Sequence, residues 1–296
     1  MASLKETKER IASVKSTLKI TSAMKMVASA KLHKAQNAIA NMLPYEQKLR
    51  SMLQLLLAST SFEGGTGFRG MDLPLASDFA SPRVAIVAFS SNSSLCGGFN
   101  ANVIREVKAR IGELKAAGES VEVVAVGRKV AEAMKKAGYP SAADWSELVA
   151  HTSYAEAESL ARTLREGFDT GLYSRVELIY NHFVSTGTQR VTRDVYLPFT
   201  LDVQPEAGDA PVGEDIIIEP SPEEMLAELM PRVRSLRIYT VALDSVAAEH
   251  AARTVAMQTA TDNGENILQE LTLEYNKGRQ QKITSEILDI VGGSMQ

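Results

Sequence analysis

The chain has 296 residues, 45% of them apolar, and a net charge of −4, enough for one or two domains with ample core. The charge is uneven: residues 1–50 hold ten Lys/Arg against Glu6, Glu9 and Glu46, a surplus of seven that leaves −11 for the remainder. A single cysteine, Cys96, excludes an internal disulfide and a multi-cysteine zinc site and fits a reducing compartment. The charged N-terminus does not read as a signal peptide, and no apolar run nears about 18 residues, so the expectation is a soluble chain at most peripheral to a membrane.

Residues 3–59 read as one long helix. A heptad with a positions Ile11, Leu18, Lys25, Leu32, Ile39, Glu46 and Leu53 has d positions Val14, Thr21, Ala28, Ala35, Met42, Leu49 and Leu56, and eleven of these fourteen are apolar. Seven-residue periodicity sustained this long predicts a left-handed coiled coil. Pro44 should bend it or remove one hydrogen bond. The basic surplus of this helix suits an acidic partner; the plainer reading is a solvated helix face.

Gly64-Gly65, Gly67, Gly70, Pro74 and Pro82 mark 60–82 as a surface loop. Then the pattern changes. Arg83–Ser90 and Val121–Gly127 are buried strands rich in Val and Ile. Residues 99–117, Arg128–Ala137 and Tyr154–Phe168 are helices, and Gly138 closes the second of them. Arg175–Ser185 and Arg190–Thr200 are strands joined at Thr186-Gly187-Thr188-Gln189, a hairpin signal. Alternating strand and helix predicts a small α/β domain with a mostly parallel sheet and an added hairpin.

Residues 201–222 form an acidic, proline-bearing linker with a short strand at Asp215–Glu219. The last seventy residues then lack any proline after Pro231, and any glycine from Arg232 to Asn263. The isolated Gly264 and Gly278 cost a helix about 1 kcal/mol each without ending it. A helix from 222 to 290 would be roughly 100 Å long, against a diameter of about 50 Å for a compact globule of this size. Leu226, Leu229, Val233, Leu236 and Leu243 keep a 3/4 spacing in its near half. The middle is alanine-rich, and Leu268, Leu271 and Tyr275 give way to a shifted set, Ile283, Ile287 and Ile290. Two such ends must lie against each other. The fold expected is α/β: a long antiparallel coiled coil of N- and C-terminal helices with an inserted Rossmann-like α/β domain. Its parts are 1–60, 83–200, the linker 201–222 and 223–291.

The chemistry-bearing motifs are few. There is no G-x-x-x-x-G-K-[ST], G-x-S-x-G or H-E-x-x-H, and His33, His151, His182 and His250 are scattered. The loop Ser91–Asn100 links a strand to a helix, where α/β proteins place anions. A lone Gly97-Gly98 is a weak signal for that and fits better a tight turn over a small buried thiol. Arg253, Gln258, Thr259, Thr261, Asp262, Asn263, Asn266, Asn276, Arg279 and Gln280 put amides and hydroxyls along the last helix. Such groups suit contacts that form, break and form elsewhere, because losing one strands no buried charge.

Three stretches carry a family resemblance across essentially the whole chain. They are Arg10–Ala30 followed by Pro44-Tyr45, Thr254–Gly292 with its TATDNGENILQELTLEYNKGRQQKITSEILDIV core, and Leu95-Cys96-Gly97-Gly98-Phe99-Asn100. On these the chain resembles the γ subunit of the F-type proton-translocating ATP synthase. The resemblance implies a non-catalytic central stalk without a cofactor. Its coiled coil would enter the hexameric ring of α and β subunits, and its foot, with the ε subunit, would rest on the c-subunit ring. The place implied is the cytoplasmic face of a bacterial inner membrane, peripheral to it. By matching position, Met24 and Lys25 lie where the family's rotor meets a mobile acidic loop of β. Arg253, Arg279, Gln280, Thr284 and Glu286 lie in the stretch used for ring contacts, and Cys96, in the third stretch, is counted with them. Two rival readings remain at this point: an anion- or nucleotide-binding α/β enzyme dimerised by its helices, and a nucleic-acid binder using the basic first helix. The acidic remainder argues against the second.

Overall fold

The structure, a computed structural model, describes residues 4–60, 83–198 and 218–294. The loop expected over 60–82 and the linker with its strand at Asp215–Glu219 fall largely outside the described residues. The elements are α1 (Leu4–Thr60), β1 (Arg83–Phe89), α2 (Phe99–Ala116), β2 (Ser120–Val126), α3 (Arg128–Lys136), α4 (Ser146–Ala150), α5 (Tyr154–Asp169), β3 (Arg175–Ser185), β4 (Thr188–Leu197) and α6 (Pro222–Ser294). The chain divides into two compact units, residues 31–252 and residues 1–30 with 253–296, and α1 and α6 contribute to both.

In the larger unit a four-stranded sheet has the order β2-β1-β3-β4. β1 runs parallel to both β2 and β3, and β3 pairs antiparallel with β4. A parallel pair needs a crossover: α2 supplies it between β1 and β2, and α3, α4 and α5 between β2 and β3, with α2 and α3 on one face of the sheet and α4 and α5 on the other. β1 is covered on both faces and so reads as a continuous apolar run. Its Ala85, Val87 and Phe89 meet Leu160, Leu164 and Phe168 of α5, Leu148 of α4, and Ile238, Val241 and Ala242 of α6. Its Val84, Ile86 and Ala88 meet Val103, Val107 and Ile111 of α2 and Val130 and Met134 of α3. The expected hairpin forms, with a tighter turn than the spacing suggested. Ser185 pairs with Thr188, so only Thr186-Gly187 lies between the strands. Helix α4 has five residues, too short to leave a periodic signature.

Polar clasps join this sheet to α6. Asp244 accepts from the Phe183 amide at 2.9 Å and lies 2.6 Å from His182 Nδ1. Asp194 accepts from Tyr180 Oη at 2.9 Å and Arg237 at 2.6 Å, and Tyr196 Oη donates to the Arg234 carbonyl. On the other face, the buried Glu177 carboxylate takes two bonds from Arg110, at 2.8 and 2.6 Å, and pairs with Arg175.

Within the same unit α1 packs antiparallel on α6. Leu49, Leu53 and Leu56 meet Leu226, Leu229 and Leu236, while Leu32 and Ala35 meet Val246, Ala247 and Ala251. Here α6 has α1 on one side and the sheet domain on the other. Its alanine-rich middle lets both approach, and Ala242, Ala247, Ala248 and Ala251 are fully buried.

The smaller unit consists of the two helices alone. Thr21 Oγ1 lies 2.9 Å from Thr261 Oγ1, and Leu18 and Leu4 lie against Gly264 and Gly278. α1 and α6 are therefore antiparallel here too. From Thr261 on, the shielded positions of α6 are Thr261, Gly264, Leu268, Leu271, Tyr275 and Gly278, stepping by three and four. Helix α1 runs through Pro44 unbroken.

Candidate interaction surface

The strand-to-helix loop after β1 is the place to look for a small-molecule site, and its polar groups are spent inside the chain. The first three amides of α3 would be the natural anion cradle. They donate instead to this loop: Arg128 to Asn92 Oδ1 (3.0 Å), Lys129 to the Ser91 carbonyl (3.2 Å) and Val130 to Ser90 Oγ (3.0 Å). Asn92 also donates to the Ser146 carbonyl, and Asn100 both accepts from the Ser91 amide and donates to its hydroxyl. Gly127 has φ 105°, and a Cβ there would lie 2.2 Å from the Ser90 carbonyl oxygen. The loop is a structural clamp with no room kept for a phosphate. Among the described residues no group of His, Cys, Asp and Glu could hold a metal ion.

Cys96 is buried beneath this loop, with Phe99, against Ala248 and Ala252 of α6. Its thiol accepts from Asn100 Nδ2 at 3.1 Å. The side chain that this motif turns outward is Leu95, 61% exposed and held at φ 68°, a conformation unusual for a side-chain-bearing residue.

The remaining predicted contact residues all lie in the two-helix unit. Met24 and Lys25 are half-buried on α1. Around them Ile20, Met26 and Val27 are exposed, at 60%, 65% and 57%. Sequence reasoning passed over these three, although apolar residues off a heptad seam are a usable signal. Arg253 is buried. Arg279, Gln280, Thr284 and Glu286 share one stretch of α6 in which every described residue from Arg279 to Val291 is exposed. There Thr284 bonds the Gln280 carbonyl of its own helix, and Glu286 pairs with Lys282 at 3.7 Å. The structure thus brings these four together with the set noted as shifted in the sequence. Ile283, Ile287 and Ile290 form one stripe, with Leu288 and Val291 beside it. The shift goes with a change of surroundings: Leu4, the first described residue of α1, lies against Gly278, and every described residue of α6 beyond it is exposed. An apolar stripe exposed at this density marks a surface another molecule covers.

The electrostatics of this unit are those of its sequence: Lys5, Lys8, Lys15 and Lys19 are exposed along α1, a row that draws in acidic surfaces and loses reach with salt. No helix of the described residues is long and apolar enough to cross a membrane.

A family described as ATP synthase matches residues 3–295. The ATP synthase gamma chain of Bacteroides thetaiotaomicron is 51% identical over 310 residues, covering 100% of both chains. That of Bacteroides fragilis strain YCH46 is 53% identical over 301 residues with the same coverage, and that of Flavobacterium johnsoniae is 41% identical over 297, covering 99% of this chain and 98% of its own. Among solved structures, the fold is shared with a chain of the Euglena gracilis mitochondrial ATP synthase rotor, at TM-score 0.61 and 18% identity, over 95% of this chain and 98% of that one. A chain of the Tetrahymena thermophila mitochondrial ATP synthase central stalk and c-ring gives 0.55 and 21%, over 81% and 99%.

Proposed function

Because the chain belongs to the ATP synthase gamma chain family, we propose that it works as the central stalk of that enzyme, a rotor that couples proton flow to ATP synthesis or hydrolysis without making a bond itself. The observation that carries this is the stretch of α6 after Gly278: a helix with Ile283, Ile287, Leu288 and Ile290 between 47% and 71% exposed, on a chain whose loop after β1 is tied up by its own side chains. Such a surface is built to be covered by another protein. We assign it to the ring of α and β subunits, with Arg279, Gln280, Thr284 and Glu286 as its polar rim. Lys25, Met24 and the exposed Ile20, Met26 and Val27 form a second patch, basic and apolar, for an acidic loop of β. Arg253, being buried, holds its own helix in shape for these contacts. Cys96 serves the third patch from beneath by fixing the loop that presents Leu95. The ε subunit and the c-ring belong to the larger unit, and the setting is the cytoplasmic face of a bacterial membrane.

Each proton crossing supplies about 2.3 kcal/mol per 100 mV, and several such steps must reach the ring for each ATP. A rotor does this by differential contact with three conformations of the ring, which favours a shaft of uniform helix over any single catalytic residue. The test is reconstitution. The purified chain should hydrolyse no ATP. Mixed with α and β it should co-purify with them and raise their turnover. Replacing Ile283, Ile287 and Ile290 by serine should weaken that association while leaving helicity unchanged. ATPase activity in this polypeptide alone, or no association with α and β, sinks the reading.

A further inference from the structure

The two-helix unit contains a pattern that neither burial nor charge explains. A Cβ on Gly264 would lie 2.7 Å from Leu18 Cδ2 and 3.3 Å from its Cγ, and one on Gly278 would lie 3.0 Å from Leu4 Cδ2. Both glycines are places where a leucine of α1 presses on the backbone of α6. The third close pair is Thr21 with Thr261, 2.9 Å between hydroxyl oxygens. All three share one register. From Leu4 to Leu18 is fourteen residues, as is Gly278 back to Gly264, and from Leu18 to Thr21 is three, as is Gly264 back to Thr261. Fourteen residues are two heptads, so the glycine seats recur with the period of the seam itself.

We propose that these layers set the axial register of α1 against α6, making Gly264, Gly278, Thr21 and Thr261 positioning residues of the shaft. A heptad repeat alone leaves an antiparallel pair free to slide by seven residues, because apolar still meets apolar. Here a slide in one direction brings Ile11 to Gly278, Lys25 to Gly264 and Leu18 to Leu271. In the other direction Ile11 comes to Gly264 and Leu18 to Met257. Only the observed register gives each glycine a leucine and each leucine of these layers a glycine. A slide also separates the threonines. In place, each hydroxyl has its own helix carbonyl, Leu18 for Thr21 and Met257 for Thr261, and its partner across the seam. Moved one way, Thr21 faces Leu268; moved the other, it faces Thr254, and Thr261 is left against Val14. One polar layer in an apolar seam is the established way to fix which residues face each other. Size complementarity adds to it, because close-packed interfaces tolerate neither a void nor an overlap. For a helix pair loaded in torsion, the lock prevents relative sliding from dissipating the twist. The register claim itself does not depend on what the shaft drives.

The test reads register directly. In the full-length chain with Cys96→Ser, spin labels are placed at Ser13→Cys and Gln269→Cys, both exposed and level with each other in the observed register, and their separation is measured by pulsed electron paramagnetic resonance. The starting chain should give one narrow distance. Gly264→Leu should shift or split it, with a displacement along the axis of about 10 Å for one heptad. Leu18→Ala/Gly264→Leu, which moves the bulk from one helix to the other, should restore the single distance. A Gly264→Leu chain that fails to fold while the double variant folds carries the same conclusion. An unchanged distance in Gly264→Leu overturns the proposal, and so does a double variant that stays shifted or does not fold.

Discussion

The same helix, α6, lives in two environments, and their contrast explains how this sequence is built. Inside the larger unit, between Leu236 and Ala252, it is enclosed by α1 on one side and the sheet on the other, and almost every residue is buried. In the two-helix unit it meets α1 alone, and from Thr261 on it shields only every third or fourth residue, until past Gly278 the described residues are all exposed. Composition follows. The enclosed part uses alanine, because two neighbours must come close at once. The paired part keeps one leucine-bearing seam. The part beyond keeps isoleucines that its own chain does not cover. Apolar residues therefore mean three different things along one helix, and exposure decides which.

The widest test of that contrast replaces isoleucine by alanine in both settings. Ile238 is fully buried on the sheet, and Ile238→Ala should cost about 2–5 kcal/mol, read as a lower urea midpoint and faster exchange of the β1 and β3 amides. Ile287 is 55% exposed, and Ile287→Ala should change stability by no more than about 0.5 kcal/mol while weakening association with the α and β subunits. Equal costs at the two positions would erase the distinction.

Next comes the carboxylate buried on the sheet of the larger unit. Burial pushes the Glu177 carboxyl up, but the hydrogen bonds and charge of Arg110, with Arg175 and Arg193 nearby, outweigh it and hold the group below the ordinary carboxylate range. A folded pKa below the unfolded one contributes stability that is present above the unfolded value and is lost as pH falls through the folded value. Urea midpoints of the larger unit should therefore decline on the acid side. Glu177→Gln should remove about 3 kcal/mol at neutral pH, because Arg110 loses its buried partner, and should flatten that acid decline. A decline equally steep in the variant would assign it to other carboxylates.

A smaller effect sharpens the view of the loop after β1. Gly127 has a positive φ, and any Cβ would collide with the Ser90 carbonyl. Gly127→Ala should cost about 2 kcal/mol and loosen the start of α3, seen as faster exchange at Arg128 and Val130. Stability equal to that of the parent chain would mean that the clamp gives way freely.

The fold was legible in sequence wherever one helix face meets one partner. All fourteen seam positions assigned to α1, from Ile11 to Leu56, are buried or half-buried, because period seven leaves a single consistent stripe. The strands of the α/β domain were legible because both faces of β1 are covered. In α6 the seam was harder to read, since an enclosed segment buries residues at every phase and an uncovered one buries none. Of the contact residues, Arg279, Gln280, Thr284 and Glu286 cluster as their spacing suggests. Cys96 is buried beneath its turn as the Gly97-Gly98 pair suggested, whereas Arg253 gave no sequence sign of being buried, because a lone cation in a helix looks alike inside and out. Leu95 escaped notice for the complementary reason: its exposure comes from a φ of 68°, which a sequence does not print. Gly264 and Gly278 read as tolerated defects, although each lies under a leucine from a residue some 250 positions away.

Those two glycines supply the finest test of the paired unit, since the same substitution should have opposite signs at the two sites. Alanine is worth about 1 kcal/mol over glycine within a helix. At Gly278 the new methyl would lie 3.0 Å from Leu4 Cδ2 only. That is the end of a flexible side chain at the first described residue of α1, and it can swing aside. Gly278→Ala should therefore stabilise the unit by about 0.5 kcal/mol. At Gly264 the methyl would overlap Leu18 at both Cδ2 and Cγ, in mid-helix where α1 cannot yield without disturbing the Thr21–Thr261 pair three residues on. Overpacking of this kind costs about 1–3 kcal/mol, so Gly264→Ala should come out destabilising by about 1 kcal/mol after the propensity gain. Exchange rates of the amides facing this seam, compared between the two variants, measure the difference. If both substitutions stabilise, leucine contact has no bearing on why glycine stands at either place, and the smaller unit is an ordinary coiled coil with two replaceable residues.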